Sequence, residues 1–196
     1  MGRRSDHSRS ELQELIVSQG HRHMAEAGFA HFSAREVAKR IGYSIGTIYN
    51  VFGSYDRLIL AINSRTFQLW ARYLRDRLAD AEDDRIAALV EAYFAFARDN
   101  PNIWTAIYDH RLAPYETLPD EFAAQRSELT DIVVAEVAAA LPPSARDAAP
   151  RLARSLIATV HGHCIFALNG SFALMGESAP LDLAVSRVRE AIAAAA

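Results

Sequence analysis

The sequence predicts an all-α fold, a small N-terminal three-helix unit over residues 1–57 followed by a larger helical body over 58–196. Three observations carry this. Between Phe32 and Leu58 the chain reads FSAREVAKRIGYSIGTIYNVFGSYDRL, two short helical patterns separated by a glycine. Beyond Gly53 no strand-like alternation and no turn-rich linker interrupts the helical pattern. Apolar residues make up 51% of the 196, enough for a sizeable core.

Ser33 followed three residues on by Glu36 is a capping box, so a second helix is expected from Ala34. Its apolar face is Ala34, Val37, Ala38 and Ile41, with Arg35, Lys39 and Arg40 outward. Gly42 supplies the backbone freedom for a tight turn, Ser44 caps a third helix to about Phe52, and Gly53 ends it. Ser54 caps a long helix to about Asp80, and Asp83-Asp84 opens another to Asn100. Pro101 interrupts and restarts a short helix through Asp109, because proline suits a helix start and breaks an interior. Pro114 to Pro119 is a loop. Helices follow over about 120–141, 144–169 and 181–195, punctuated by Pro142-Pro143 and Gly170.

The third helix carries the chemistry of the small unit. At about 100° per residue Ile48 and Phe52 share the buried side, which leaves Gly46, Thr47, Tyr49 and Asn50 on or beside the opposite face. Hydroxyl and amide groups there can donate to phosphates or read base edges, and Gly46 lets a backbone approach closely. A plain αα-hairpin in a helical bundle has the same polar outer face, so spacing alone leaves both readings open.

Charge is distributed to match. The net charge is −3, but residues 1–57 hold 8 Lys and Arg against 6 Asp and Glu, while 58–196 hold 13 against 18. A mild N-terminal basic bias, with Arg3, Arg4 and Arg9 expected in a loose arm, suits one local nucleic-acid surface rather than an all-over coat. The one cysteine, Cys164, excludes an intramolecular disulfide and fits a reducing compartment. With no apolar segment after the basic start and no run of eighteen apolar residues, the expectation is a soluble, cytoplasmic chain without a membrane partner.

The body offers a candidate cavity. Tyr93, Phe94 and Phe96 lie close together in sequence, Trp104, Ile107, Tyr108 and His110 follow, and Phe122 and Phe166 lie further on. Such aromatics either fill a core or line a pocket. His161 and Cys164 are three apart and share a helix face, whereas His163 diverges from His161. Two ligands on one face make no zinc site, so no metal is expected. Cys164 sits mid-helix among apolar residues, where thiols are inert. Gly162 is expected to admit a neighbouring helix. No paired carboxylates, Ser/His/Asp order or phosphate-cradling glycine loop can be placed, so neither catalysis nor a cofactor is expected.

The run Ser33-Ala34-Arg35-Glu36-Val37-Ala38, then Gly42-Tyr43-Ser44, Gly46-Thr47-Ile48-Tyr49, Phe52 and Asp56-Arg57-Leu58 resembles the N-terminal domain of TetR-type transcriptional repressors. The stretch Leu12 to Phe29, closing with Glu26-Ala27-Gly28-Phe29, is similar to that family's first helix. By this resemblance Ser33, Arg35, Ser44, Ile45, Thr47, Tyr49, Asn50 and Val51 sit where the family contacts DNA. Two positions depart from it: a basic residue usually stands at Tyr55, and often a histidine or tyrosine at Val51. His161-Gly162 before an apolar run, with the Asn100-Pro101 break upstream, resembles the C-terminal WHG domain of one TetR subgroup, although the tryptophan of that name is absent near Thr159 and Val160. The resemblance implies a homodimer held by the last two long helices and an effector cavity lined by Tyr93, Phe94, Phe96, Trp104, Ile107, Tyr108, His110, Phe122, His161 and Cys164.

The function expected on these grounds is a homodimeric transcriptional regulator. It binds a double-stranded inverted-repeat operator, most simply as a repressor released by a small, largely apolar ligand. The competing reading is a helical carrier or enzyme with an incidental N-terminal hairpin.

Overall fold

In the computed structural model the described residues are 7–111 and 119–196, the side chain of Glu121 excepted. Arg3, Arg4 and the 114–118 part of the expected loop lie outside them. Every regular element among the described residues is helical. The chain parts into two compact units, residues up to 67 with 100–123, and residues 68–99 with 124–196.

The first unit opens with α1 (Arg9–Ala27), α2 (Ala34–Arg40) and α3 (Ile45–Phe52). Helix α1 starts earlier than the expected Leu12 because Ser8 and Glu11 form a reciprocal capping box. The Ser8 N–H donates to Glu11 Oε2 at 2.7 Å and the Glu11 N–H to Ser8 Oγ at 3.3 Å. Arg9 is therefore helical rather than part of a loose arm.

At α2 the expected box is only half made. The Ser33 hydroxyl accepts the Glu36 N–H at 3.3 Å, but the Glu36 carboxylate pairs with Arg40 at 3.7 Å instead of reaching back. The Ser33 N–H goes to His23 Nε2 of α1, 3.2 Å away.

Helix α2 ends in a turn that needs glycine. Gly42 has φ 76°, and the Gly42 and Tyr43 N–H groups donate to the Lys39 and Ala38 carbonyls at 3.2 and 2.9 Å. That double closure satisfies the last carbonyls of α2 and sets the angle at which α3 departs.

The unit is completed by the first part of α4 (Tyr55–Ala79), by α6 (Pro101–Asp109) and by residues 119–123. Ile16, Met24, Val37, Ile48, Leu58, Ile62 and Trp104 are among its fully enclosed side chains. Gly20 lets α4 come close, an ideal Cβ there standing 2.7 Å from Ile62 Cδ1.

The second unit holds the rest of α4, α5 (Arg85–Asp99), most of α7 (Asp120–Ala140), α8 (Ala149–Leu168), α9 (Ser171–Leu174) and α10 (Pro180–Ala194). Local capping accounts for α5, since Asp84 Oδ1 accepts the Ala87 N–H at 3.0 Å. The expected 144–169 helix is instead a 3-10 turn over Pro143–Ala148 followed by α8. Helix α9 is a single turn that sequence periodicity does not reveal. Trp70, Tyr93 and Phe96 form the aromatic centre, with Trp70 and Phe96 stacked at 5.0 Å and Tyr93 edge-on to Trp70 at 4.8 Å.

Candidate nucleic-acid interface

The two short helices and their turn present one outward surface. Ser44 caps α3 by accepting the Thr47 N–H at 3.2 Å, and the two hydroxyls lie 3.0 Å apart. Ile48 and Phe52 are buried beneath. Ser44, Gly46, Tyr49 and Asn50 are exposed, and Ile45, Thr47 and Val51 half-buried. Gly53 (φ 81°) closes the helix by donating to the Tyr49 carbonyl at 2.8 Å. An eight-residue helix is marginal alone, so this cap, this C-terminal glycine and two buried anchors are what hold the outer face in place.

Of the basic residues, Arg40 is engaged, bonded to Glu26 at 2.7 Å. Arg35 is exposed and has no acidic partner among the described residues, which leaves it available to a phosphate. Tyr55 is half-buried with its ring 6.2 Å from Phe32, and burial first, then nearby Tyr49 and Asp56, raises its pKa. Its packing role is thus visible; Ser33 is likewise occupied at the start of α2.

The aromatic and histidine positions of the expected cavity fall in both units. In the first, Trp104 is fully buried, Tyr108 is exposed with its ring 5.5 Å from Trp104, and Ile107 and Phe122 are half-buried. His110 Nε2 lies 2.9 Å from Asp56 Oδ1.

In the second, Phe96 is in the core and Phe94 is half-buried on a separate groove that Arg77 and Arg98 also line. The Tyr93 hydroxyl lies 2.9 Å from His161 Nδ1, and burial lowers the pKa of His161. Cys164 is fully enclosed, and burial pushes its thiol up to about 12. Tyr93 also borders an apolar cavity of about 40 Å³ with Leu74, Val90, Val137, Leu156 and Val160. Its walls are mainly aliphatic, and it is far smaller than the roughly 150 Å³ that accommodates a benzene ring. A Cβ added at Gly162 would meet no atom within 4 Å, so the neighbour expected beside it does not come from the described residues of this chain.

Two contributors escape a reading by spacing. His23 holds the cap of α2, and its only signal is a lone imidazole on the apolar face of α1. Asn63, inside the first unit, donates from Nδ2 to the Ala106 carbonyl at 3.2 Å. Among the described residues no three His, Cys, Asp or Glu side chains gather into a metal-binding group, and no helix is long and apolar enough to cross a membrane.

A capped helix, a glycine turn and a second helix with a polar outer face, packed on a third, define a helix-turn-helix protein. Residues 16–62 match the family model described as bacterial regulatory proteins, tetR family, and residues 86–190 match the tetracyclin repressor-like C-terminal domain. The chain belongs to the TetR family, a family of regulators rather than enzymes.

It is similar to the HTH-type transcriptional regulator Rv1816 of Mycobacterium tuberculosis, 26% identical over 145 residues that are 72% of this chain and 62% of that protein. The chain thus spans less than two thirds of the length of the curated relatives it matches. A Rhodococcus sp. RHA1 protein of unknown function superposes with TM-score 0.71 at 22% identity, covering 98% of this chain and 97% of that one. The multidrug binding protein EbrR complexed with proflavin does so with TM-score 0.63 at 21% identity, covering 94% and 99%.

Proposed function

We propose that this protein is a homodimeric, sequence-specific DNA-binding repressor whose release from an inverted-repeat operator is driven by a small, largely apolar ligand. The observation that carries the reading is the outer face of α3: Gly46, Tyr49 and Asn50 exposed above buried Ile48 and Phe52, with Arg35 alongside and free of any described acidic partner. That combination supplies base-reading groups and a phosphate contact on one surface.

Two-fold assembly is supported by the outer side of α8, where Ser155, Ala158, Gly162 and Phe166 are exposed in the single chain. Ligand release is supported by the apolar cavity beside Tyr93, which a ligand must enlarge to enter, and by the drug-binding neighbour of the same fold. In a TetR-type dimer the two copies of α3 would meet successive major grooves about 34–36 Å apart.

The test is selection from random duplex DNA, which should return a two-fold symmetric motif. A motif without two-fold symmetry, or none, refutes the reading. Sedimentation at micromolar concentration should show a dimer, and Gly162→Arg should shift it to monomer without unfolding, whereas Leu156→Arg strikes the core. Calorimetric titration of a candidate ligand with and without operator should show mutual weakening of about 5- to 150-fold, the range of an allosteric coupling of about 1–3 kcal/mol.

A further inference from the structure

The start of α2 is tied to α1 by a hydrogen bond that only a neutral histidine can make. At the other helix cap built on serine and glutamate, the Ser8 N–H is taken locally by Glu11. At Ser33 the equivalent N–H is taken by His23, ten residues earlier on a different helix, while Glu36 turns to Arg40. The His23 ring is 7% exposed and sits 5.4 Å from the Phe32 ring. To accept at Nε2, the ring must carry its proton on Nδ1, and that atom is buried with no hydrogen-bond partner.

We propose that His23 is a positioning residue for the helix-turn-helix: its neutral ring holds the Ser33 N–H and the start of α2 in place, and protonation breaks that hold and lowers DNA affinity. This rests on the DNA-reading function proposed above. Protonation would set an Nε2–H against the Ser33 N–H, donor facing donor. Among the described residues no carboxylate hydrogen-bonds to Nδ1 to hold the cation in compensation.

The charged groups facing the ring are Glu26 on α1 and Arg40 and Glu36 on α2. Burial, then Arg40, disfavours the imidazolium, and the two glutamates favour it less strongly, so the pKa lies below 6.5. The sign follows: the bond is intact above pH 6.5 and is lost as pH falls through the lower folded value. One proton limits the slope to about tenfold in affinity per pH unit.

The experiment measures binding to the selected duplex from pH 8 to 5 at constant salt, for wild type, His23→Gln and His23→Leu. The Gln carbonyl can reach the Ser33 N–H and does not titrate, so H23Q should bind like wild type at pH 8 and resist acid. Leu offers no acceptor, so H23L should bind about fivefold or more weakly even at pH 8. Any effect of the other histidines would be common to all three proteins. Retention of the full wild-type acid loss by H23Q overturns the proposal. Ring-nitrogen NMR of free wild-type protein is the second arm, independent of DNA and of whether the variants fold. An Nδ1–H tautomer is expected, and an Nε2–H tautomer overturns the proposal. If wild type binds no duplex at pH 8 while the Nδ1–H tautomer is found, the DNA-reading function has failed rather than the geometry at His23.

Discussion

Gly42 and Gly46, one turn of chain apart in the same motif, should respond in opposite ways to the same substitution. Gly42 adopts φ 76° in the turn after α2, and nothing lies within 4 Å of where a Cβ would stand. Ala there meets no clash, so its cost is the left-handed backbone alone, about 1–2 kcal/mol. Gly46 lies inside α3, exposed, with only an ordinary 3.6 Å contact to Ser44 Oγ. Ala at that position removes unfolded-chain entropy and should stabilise by about 0.5–1 kcal/mol. For a chain of this size about 1 kcal/mol moves Tm by about 2–4 °C, so calorimetry should show G42A melting lower and G46A slightly higher. The new methyl of G46A also stands on the proposed DNA face. Duplex affinity should therefore fall at least about fivefold, about 1 kcal/mol, in a protein that is more stable than wild type. Wild-type affinity in G46A would remove Gly46 from the interface, and a lower melting point for both variants would refute the backbone argument.

Cys164 is enclosed, with its thiol pushed up to about 12, so native protein at neutral pH should resist a disulfide-exchange reagent that labels it promptly after unfolding. Tyr93→Phe should cost the second unit about 1 kcal/mol by deleting the hydroxyl that meets His161, measured by urea titration. Burial first, and then Arg65, pushes His21 down to about 4, and His23 and His161 are lowered as well. The contribution of these three groups to unfolding free energy should be flat above about pH 6.5 and fall from there toward about pH 4, because the unfolded chain takes up protons that the folded one refuses. A stability that rises as pH falls through that window contradicts the buried-neutral assignment. A fragment ending at residue 67 lacks the buried Trp104 and should lose about 3–5 kcal/mol, leaving little cooperative melting by circular dichroism.

Local devices were legible in the sequence. Ser44, Ser54 and Asp84 each cap the helix that follows within three residues, so their roles could be read without knowing the fold. Gly42 and Gly53 adopt the positive φ that a turn and a helix stop require. The buried side of α3 followed from angular spacing. The partners of Ser33 and Glu36 did not, because the His23 bond exists only once α1 and α2 pack, and tertiary competition overrode the local capping box. Periodicity likewise says which face of 101–109 is apolar but not what that face meets, and Trp104, grouped by sequence with the aromatics of the body, is buried in the first unit. The single turn at Ser171–Leu174 is too short to have a period at all.

The placement of α6 has a consequence for how a ligand could act. A head built from residues 7–57 alone is near the size at which one core barely stabilises a domain. Here the core is completed by Ile103, Trp104 and Ala106, which arrive from more than forty residues further along the chain. Three polar ties accompany them: Asn102 Nδ2 donates to the Ala25 carbonyl at 2.7 Å, Asn63 to the Ala106 carbonyl, and His110 meets Asp56 at the first turn of α4. Asn63 is buried, so withdrawing Ala106 would strand an amide donor in the core at a cost of about 1–3 kcal/mol. Helix α6 therefore cannot be displaced independently of α1 and the start of α4. Yet α6 follows directly on α5 through Asn100, and α5 supplies Val90 and Tyr93 to the apolar cavity of the second unit. Under the ligand-released reading proposed above, a ligand that enlarges that cavity would press on α5, whose chain continues through Asn100 into the segment that completes the first unit.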